Sequence, residues 1–249
     1  YLQLGEPENV RKYDAARLRS FWDRQKARPW VLAVSGDFDR DQVLAFAKGL
    51  PAPDQGKVDV PVPAWGTRPE LDIPMPGRSQ AHLMLIFKTA PNTSPDTPAL
   101  DLLETSLGGM GGPLFRDLRD KQGLGYTVTA FNRQTSENGY MVFYIGTEPG
   151  KMAQAEEGFR RIINDLHQNL LSEEDVNRGK NQLEGDYYRN MQSLGSRSGE
   201  AAALTMEGYP LSFTKDQIEK SKKVTPEQLR EIVKKYLNVG SAYTIKVLP

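Results

Sequence analysis

The stretch "LRDKQGLGYTV", residues 118–128, places Arg119 and Tyr126 seven positions apart, with Gly123 and Gly125 between them. It opens like a helix and closes like a strand, so it predicts a helix–strand corner. The two glycines allow a tight reversal that returns the first residue of the strand beside the helix end. A guanidinium with several donors and a phenol with one would then face the same space. A fixed cation beside a neutral donor suits a peptide carbonyl, or the oxyanion it becomes. Taken singly, each residue has a plainer role: Arg119 as a cation in a last helical turn, Tyr126 as a strand aromatic.

A second candidate is "LGGMGGPLF", residues 107–115, which contains Gly108, Gly109, Gly111 and Gly112. It lacks the Lys-Ser/Thr of a phosphate loop and follows a helix rather than a strand. Its plain reading is that glycine ends one helix and Gly-Gly-Pro starts the next. Its functional reading is that glycines expose backbone amides at a helix N-terminus, where a carbonyl or carboxylate is favoured. The histidines, His82 and His167, are the only two in the chain. Neither has a second His, Cys or acidic residue at ligand spacing, and a zinc site needs three or four converging ligands. No metal residue is assigned. His82 reads as a strand-face residue and His167 as a helix-terminal cation.

Composition narrows the class. The chain has 249 residues, with 32 basic and 32 acidic ones, which argues against a dedicated nucleic-acid binder. There is no cysteine, hence no disulfide, thiol nucleophile or thiolate metal site. No apolar run approaches the roughly 20 residues that span a bilayer, so no membrane partner is expected. The N-terminus has neither an initiator Met nor the basic-then-apolar pattern of a signal peptide, and the chain reads as a piece of something longer. The compartment is open, with a bacterial periplasm favoured over a cytoplasm.

The elements that must position these residues follow from pattern. Residues 14–28 form a helix capped by Asp14, 30–36 a short buried strand, and 39–51 a second helix capped by Asp39. Residues 51–77 hold seven of the seventeen prolines and read as an extended linker, with an edge strand near Glu70–Ile73. Beyond it come a strand at 80–89, a helix capped by Asp96, a shorter helix with Pro113 in its first turn, and two β runs around "TSENG". The Asn-Gly in that turn predicts an antiparallel hairpin. Amphipathic and charge-rich helices follow, the last opening with a Thr225/Gln228 capping box. Residues 241–248 close the chain as a strand. Strands and helices do not alternate singly, so the fold class is α+β: a two-layer antiparallel or mixed sheet with helices packed on one face. The organisation is a helix–strand–helix piece at 1–50, the linker at 51–77 and an α+β unit at 78–249.

The segment "GGPLFRDLRDKQGLGYTVTAF" resembles the Leu-Phe-x-x-x-Arg-x-x-x-Gly-Leu-x-Tyr stretch of the pitrilysin/insulysin-type zinc metallopeptidases, the inverzincins. "DAARLRSFWDRQKARPWVLAVSGDFDRDQVLAFAKGLP" looks like that family's helix–strand–Gly-Asp–helix segment. "LSEEDVNRGKNQLEGDYYRNMQS" is similar to its long helix. The resemblance covers nearly the whole chain, in order and in approximate spacing. It implies lobes built from two similar half-domains, one carrying zinc on His-x-x-Glu-His. That motif is absent here.

The resemblance therefore implies a metal-free, C-terminal-type part. Residues 1–50 would be the tail of a preceding half-domain and 78–249 a complete metal-free half-domain. It also implies that Arg119 and Tyr126 contact peptide substrate near the scissile bond, with zinc held by another half-domain in cis or in trans. The chain alone would not hydrolyse peptides, and an unpaired strand 30–36 would leave edges open to self-association that need not be biological. The alternative is a non-catalytic assembly subunit of the same fold, as in processing-peptidase or respiratory core proteins.

Overall fold

The computed structural model describes residues 5–52, 62, 64–67 and 69–249. Much of the Pro-rich stretch, 53–61 with 63 and 68, lies outside them. In chain order the elements are α1 (Pro7–Val10), α2 (Ala15–Lys26), α3 (Arg40–Lys48), β1 (Glu70–Pro74), β2 (Ala81–Thr89) and α4 (Thr97–Leu107). A π-helix (Phe115–Lys121), β3 (Gly125–Gln134), β4 (Gly139–Thr147), α5 (Met152–Gln168) and α6 (Glu173–Asn190) follow. The chain ends with α7 (Leu194–Glu207), α8 (Phe213–Ser221), α9 (Pro226–Tyr236) and β5 (Tyr243–Leu248).

These elements divide into two units. The larger takes the described residues of 62–192 with 212–249. Its five strands make one mixed sheet in the order β1-β5-β2-β4-β3, with β1 parallel to β5 and the other pairs antiparallel. Strand alternation decides which face is covered. Ala81, Leu83, Leu85 and Phe87 of β2 are buried, whereas His82, Met84 and Ile86 between them are only partly so. The buried face meets α4, α5 and α9. Phe87, Phe143 and Phe159 stack edge-to-face across that layer, with ring centroids 5.7 and 5.9 Å apart.

Helix starts follow the sequence closely. Asp14, Asp39 and Ser172 accept backbone N–H bonds at the starts of α2, α3 and α6. The Thr225/Gln228 capping box is reciprocal. Asp96 departs from its expected capping role. Its carboxylate instead accepts from Lys235 Nζ at 2.6 Å and from Tyr236 Oη at 2.5 Å, two donors that reach it from α9.

The hairpin is closed by Thr135–Asn138, with Thr135 N donating to Asn138 O at 2.8 Å. Gly139 lies inside β4 without a positive φ, so the Asn-Gly pair is not the turn's centre. A Cβ at Gly139 would overlap the backbone of Ala90, which accounts for the glycine.

The smaller unit comprises the described residues 5–52 with 193–211. Residues 30–35 carry no strand pairing, contrary to the expectation of a buried strand. A strand is defined by a neighbour that takes its N–H and C=O groups, and none is present among the described residues. Leu204 is the sole buried residue described in this unit. Leu18, Phe21 and Trp22 of α2 and Leu44 and Phe46 of α3 are exposed.

Helices α4 and α6 approach closely because Gly179 has no side chain. A Cβ there would overlap Ser106 Oγ and lie 2.9 Å from Ser106 N. Gly185, two turns on in α6, has nothing within 4 Å of that position. Gly179→Ala should therefore destabilise the chain by about 1–3 kcal/mol. Gly185→Ala should stabilise it by about 0.5–1 kcal/mol through helix propensity. Urea unfolding of the two variants checks the contrast, and equal midpoints would refute the packing account.

Candidate functional site

The expected corner exists. The π-helix ends at Lys121, and Gly123, at φ +61°, reverses the chain in a left-handed conformation that residues with a Cβ adopt poorly. Leu124 N donates to Leu118 O at 2.8 Å and Gly123 N to Arg119 O at 2.9 Å, closing the turn. Gly125 serves a different purpose: a Cβ on it would overlap Gly146 O of β4. The β3–β4 register shifts here, pairing Gly125 with Thr147 and Thr127 with Gly146. Tyr126 is thus the extra residue of a β-bulge, and a bulge re-aims the side chain it carries.

The re-aimed ring lands on Arg119. The Arg119 guanidinium carbon lies 4.7 Å from the Tyr126 ring centroid and 4.3 Å from that of Phe115. The cation lies against both rings, a contact that leaves its N–H edge available. Among the described residues that edge makes no hydrogen bond or ion pair, and the Tyr126 hydroxyl makes none. Tyr126 is 76% exposed. Two uncommitted donor groups therefore share one surface.

The glycine loop connects α4 to the π-helix. Gly109 has φ +73°, and a Cβ on Gly112 would overlap the carbonyls of Leu107 and Gly108. Met110 at the tip is 81% exposed. The amides of Gly109, Met110 and Gly111 make no hydrogen bond among the described residues. The carbonyls are used internally: Arg178 donates to those of Thr105, Ser106 and Gly108, and Arg116 to that of Gly111.

Both arginines meet Asp175, in the first turn of α6. Arg116 binds it through two bonds of 2.8 and 2.9 Å, Ser172 Oγ donates at 2.7 Å, and Arg178 lies at 3.4 Å. Burial pushes the Asp175 carboxyl up, but the bonds from Arg116 and Ser172 and the two positive charges outweigh it and hold it below its usual range. Sequence analysis reads α6 only as a charge-rich helix and misses this carboxylate. The spacing of Asp175 and Arg178, together with Arg116 three residues before Arg119, is the signal that was there to use.

A second polar group escaped notice on α4. Glu104 Oε2 accepts from Asn132 N at 3.0 Å, Asp101 Oδ1 accepts from Asn132 Nδ2 at 3.0 Å, and Gln134 Nε2 reaches Thr97 Oγ1 at 3.4 Å. Burial pushes Glu104 up to about 7 and Asp101 up to about 6. Arg133 partly offsets the shift of Glu104, and Asp101 adds to it.

The histidines do not form a metal site. His82 Nδ1 pairs with Tyr144 Oη at 2.8 Å, and His167 Nε2 with Leu237 O at 2.9 Å. Among the described residues no group of three or more His, Cys, Asp or Glu could hold a metal ion. The described residues do not fit zinc.

The sequence matches the family described as "Peptidase M16 inactive domain" over residues 14–183. The chain belongs to that family. This peptidase M16 inactive domain is similar to proteins named as uncharacterized zinc proteases. It is 24% identical to an uncharacterized zinc protease of Streptomyces coelicolor over 94% of this chain and 53% of that protein. It is 24% identical to one of Mycobacterium leprae over 94% of this chain and 55% of that protein. The chain thus spans about half the length of those relatives. A solved peptidase M16 inactive domain from Pseudomonas fluorescens superposes over 100% of this chain and 61% of its own, with TM-score 0.77 and 24% identity. A chain of complex III2 from Candida albicans covers 85% of this chain and 53% of its own, with TM-score 0.72 and 14% identity.

The α4 carboxyls give this M16 domain a pH signature. A carboxyl whose pKa is higher folded than unfolded binds more protons in the folded state. Its stabilising contribution is complete below the unfolded value, about 4.5 for Glu104, and is lost as pH rises through about 7. Glu104→Gln keeps an oxygen acceptor for Asn132 N and cannot ionise. Its melting temperature should fall less than that of the wild type between pH 5 and pH 8. Parallel curves would remove Glu104 from the account.

Proposed function

We propose that this M16 domain is the metal-free, substrate-binding part of a zinc endopeptidase whose zinc is held by another half-domain, in cis or in trans. One observation carries the reading. Arg119 lies against Phe115 and Tyr126 with its donor edge uncommitted, beside an exposed, uncommitted phenol. A purely structural cation at a helix end would be expected to point its donors at carbonyls or carboxylates. In this reading Arg119 holds the backbone of the peptide, and Tyr126 donates a hydrogen bond to the oxyanion that develops on the scissile carbonyl. The amides of Gly109, Met110 and Gly111, with Gly108 and Gly112 shaping their loop, flank the same peptide. The uncovered apolar residues of α2 and α3 and the unpaired run 30–35 support a further point: this unit is the tail of a preceding half-domain that would bury them.

The fold shared with a chain of complex III2 from Candida albicans favours a second reading, a non-catalytic assembly subunit. The two diverge at Tyr126. In the assembly that includes the zinc-bearing half, Tyr126→Phe should melt as the wild type does and lose about a hundredfold to a thousandfold in turnover, or roughly 3–4 kcal/mol. Arg119→Ala should weaken peptide binding. Steady-state cleavage of a quenched peptide measures both. Turnover within about threefold of wild type for Tyr126→Phe, far short of that loss, would favour the assembly subunit.

A further inference from the structure

We propose that Asp175 is the positioning residue of the Arg119/Tyr126 pair, acting through Arg116 and Arg178 on the glycine loop and the π-helix. This deepens the peptide-binding reading and rests on it for its functional meaning. Its structural content stands separately.

The chain from Leu107 to Tyr126 leaves α4, turns through the glycine loop, runs along the π-helix and re-enters the sheet. From Gly108 to Gly112 the chain belongs to no helix or strand, so something must fix where the π-helix begins. Arg178 binds the last carbonyls of α4, where the chain enters the loop, and Arg116 binds Gly111 O, where it leaves. Both guanidinium groups meet the same carboxylate. Asp175 has a side chain only 6% exposed, and Arg116 grips it with both terminal nitrogens. A two-pronged guanidinium–carboxylate pair fixes orientation as well as distance. Ser172 caps α6 by accepting from Asp175 N, and its hydroxyl donates to Oδ2, one of the two oxygens that Arg116 grips.

The clamp acts on the second residue of the π-helix. The next residue, Asp117, is tied to α5 by Arg161 at 2.5 Å and to Gln122 at 2.5 Å. Consecutive residues of opposite charge thus anchor the π-helix to two different helices. Arg119 follows two positions later with no polar tether of its own, held by its contacts with the Phe115 and Tyr126 rings. The location of its donors is therefore set by the anchors behind it. Asp175 lies at the junction of α4, α6 and the π-helix and serves two of the three tethers, so it is the residue through which that location is set.

The test uses Asp175→Asn in this chain, which keeps the shape of the side chain and removes its charge. Arg116→Lys, at a side chain that is 46% exposed, keeps a charge and removes the fork. Two signals are read by nuclear magnetic resonance. Lying against two rings, the Arg119 side-chain protons should be shifted upfield in the wild type. In both variants that shift should collapse, and amide exchange over 109–124 should quicken by about tenfold or more, while β2, β4 and α5 keep their protection. A retained upfield shift would overturn the proposal. A uniform rise in exchange across all elements would also overturn it, since that is loss of stability and not of position. If Asp175→Asn fails to fold, Arg116→Lys alone decides between the same outcomes. Neither signal involves a peptide. Collapse of the shift in a protein whose Tyr126→Phe variant stays fully active would sink the peptide reading and leave the positioning role intact.

Discussion

The architecture around the site depends on sealing one edge of the sheet. β3 is a terminal strand, and its outward N–H and C=O groups cannot be met by another strand of this unit. Helix α4 meets one of them, the Asn132 N–H, and holds the strand's side chains beside it. Thr97, Asp101 and Glu104 recur at helical spacing and face Gln134 and Asn132, with Glu104 taking the Asn132 amide directly. Gly108 then approaches Ala130 O, so α4 runs antiparallel to β3 and stops beside its middle. The carboxylates that do this are buried at a cost, visible in their raised pKa values. A covered edge is also protected from pairing with other chains.

That constraint explains the corner. Because α4 ends beside the strand that the chain must next enter from its far end, the connection has to swing out and come back. The glycine loop is the outward swing and the π-helix the return. A π-helix is wider than an α-helix and is seldom used except where a function needs a side chain displaced. Here it brings Phe115 and Arg119 to one flank, where the guanidinium meets both the Phe115 and the Tyr126 ring.

The sequence carried much of this and lost some of it for physical reasons. The strands, most helix caps and the Arg119/Tyr126 meeting are local, set by alternation, capping residues and glycines within a few positions of each other. The Asp175 clamp is not local: its partner Arg116 is 59 residues away, and a charged residue in a charge-rich helix looks solvated until the partner is known. The stripe on α4 stands at helical spacing, but its partners on β3 lie 28 to 37 residues further along the chain. Residues 30–35 show the opposite failure. Their apolar run has strand character, yet pairing is a property of two segments, and the described chain supplies one.

The bulge at Tyr126 has a consequence for comparing sequences. A bulge is a matter of counting: one strand has a residue that the other does not answer. Deleting a single residue between Gly125 and Thr127 would leave every hydrogen bond of the β3–β4 ladder available and every core side chain facing as it does now. Only the phenol would vanish. A gap of one position in an aligned relative, which would ordinarily be dismissed as loop variation, would at this point separate chains that keep the pair from chains that keep only the scaffold. Chain length at one strand start is thus a marker of whether the pair is present, independent of which residues surround it.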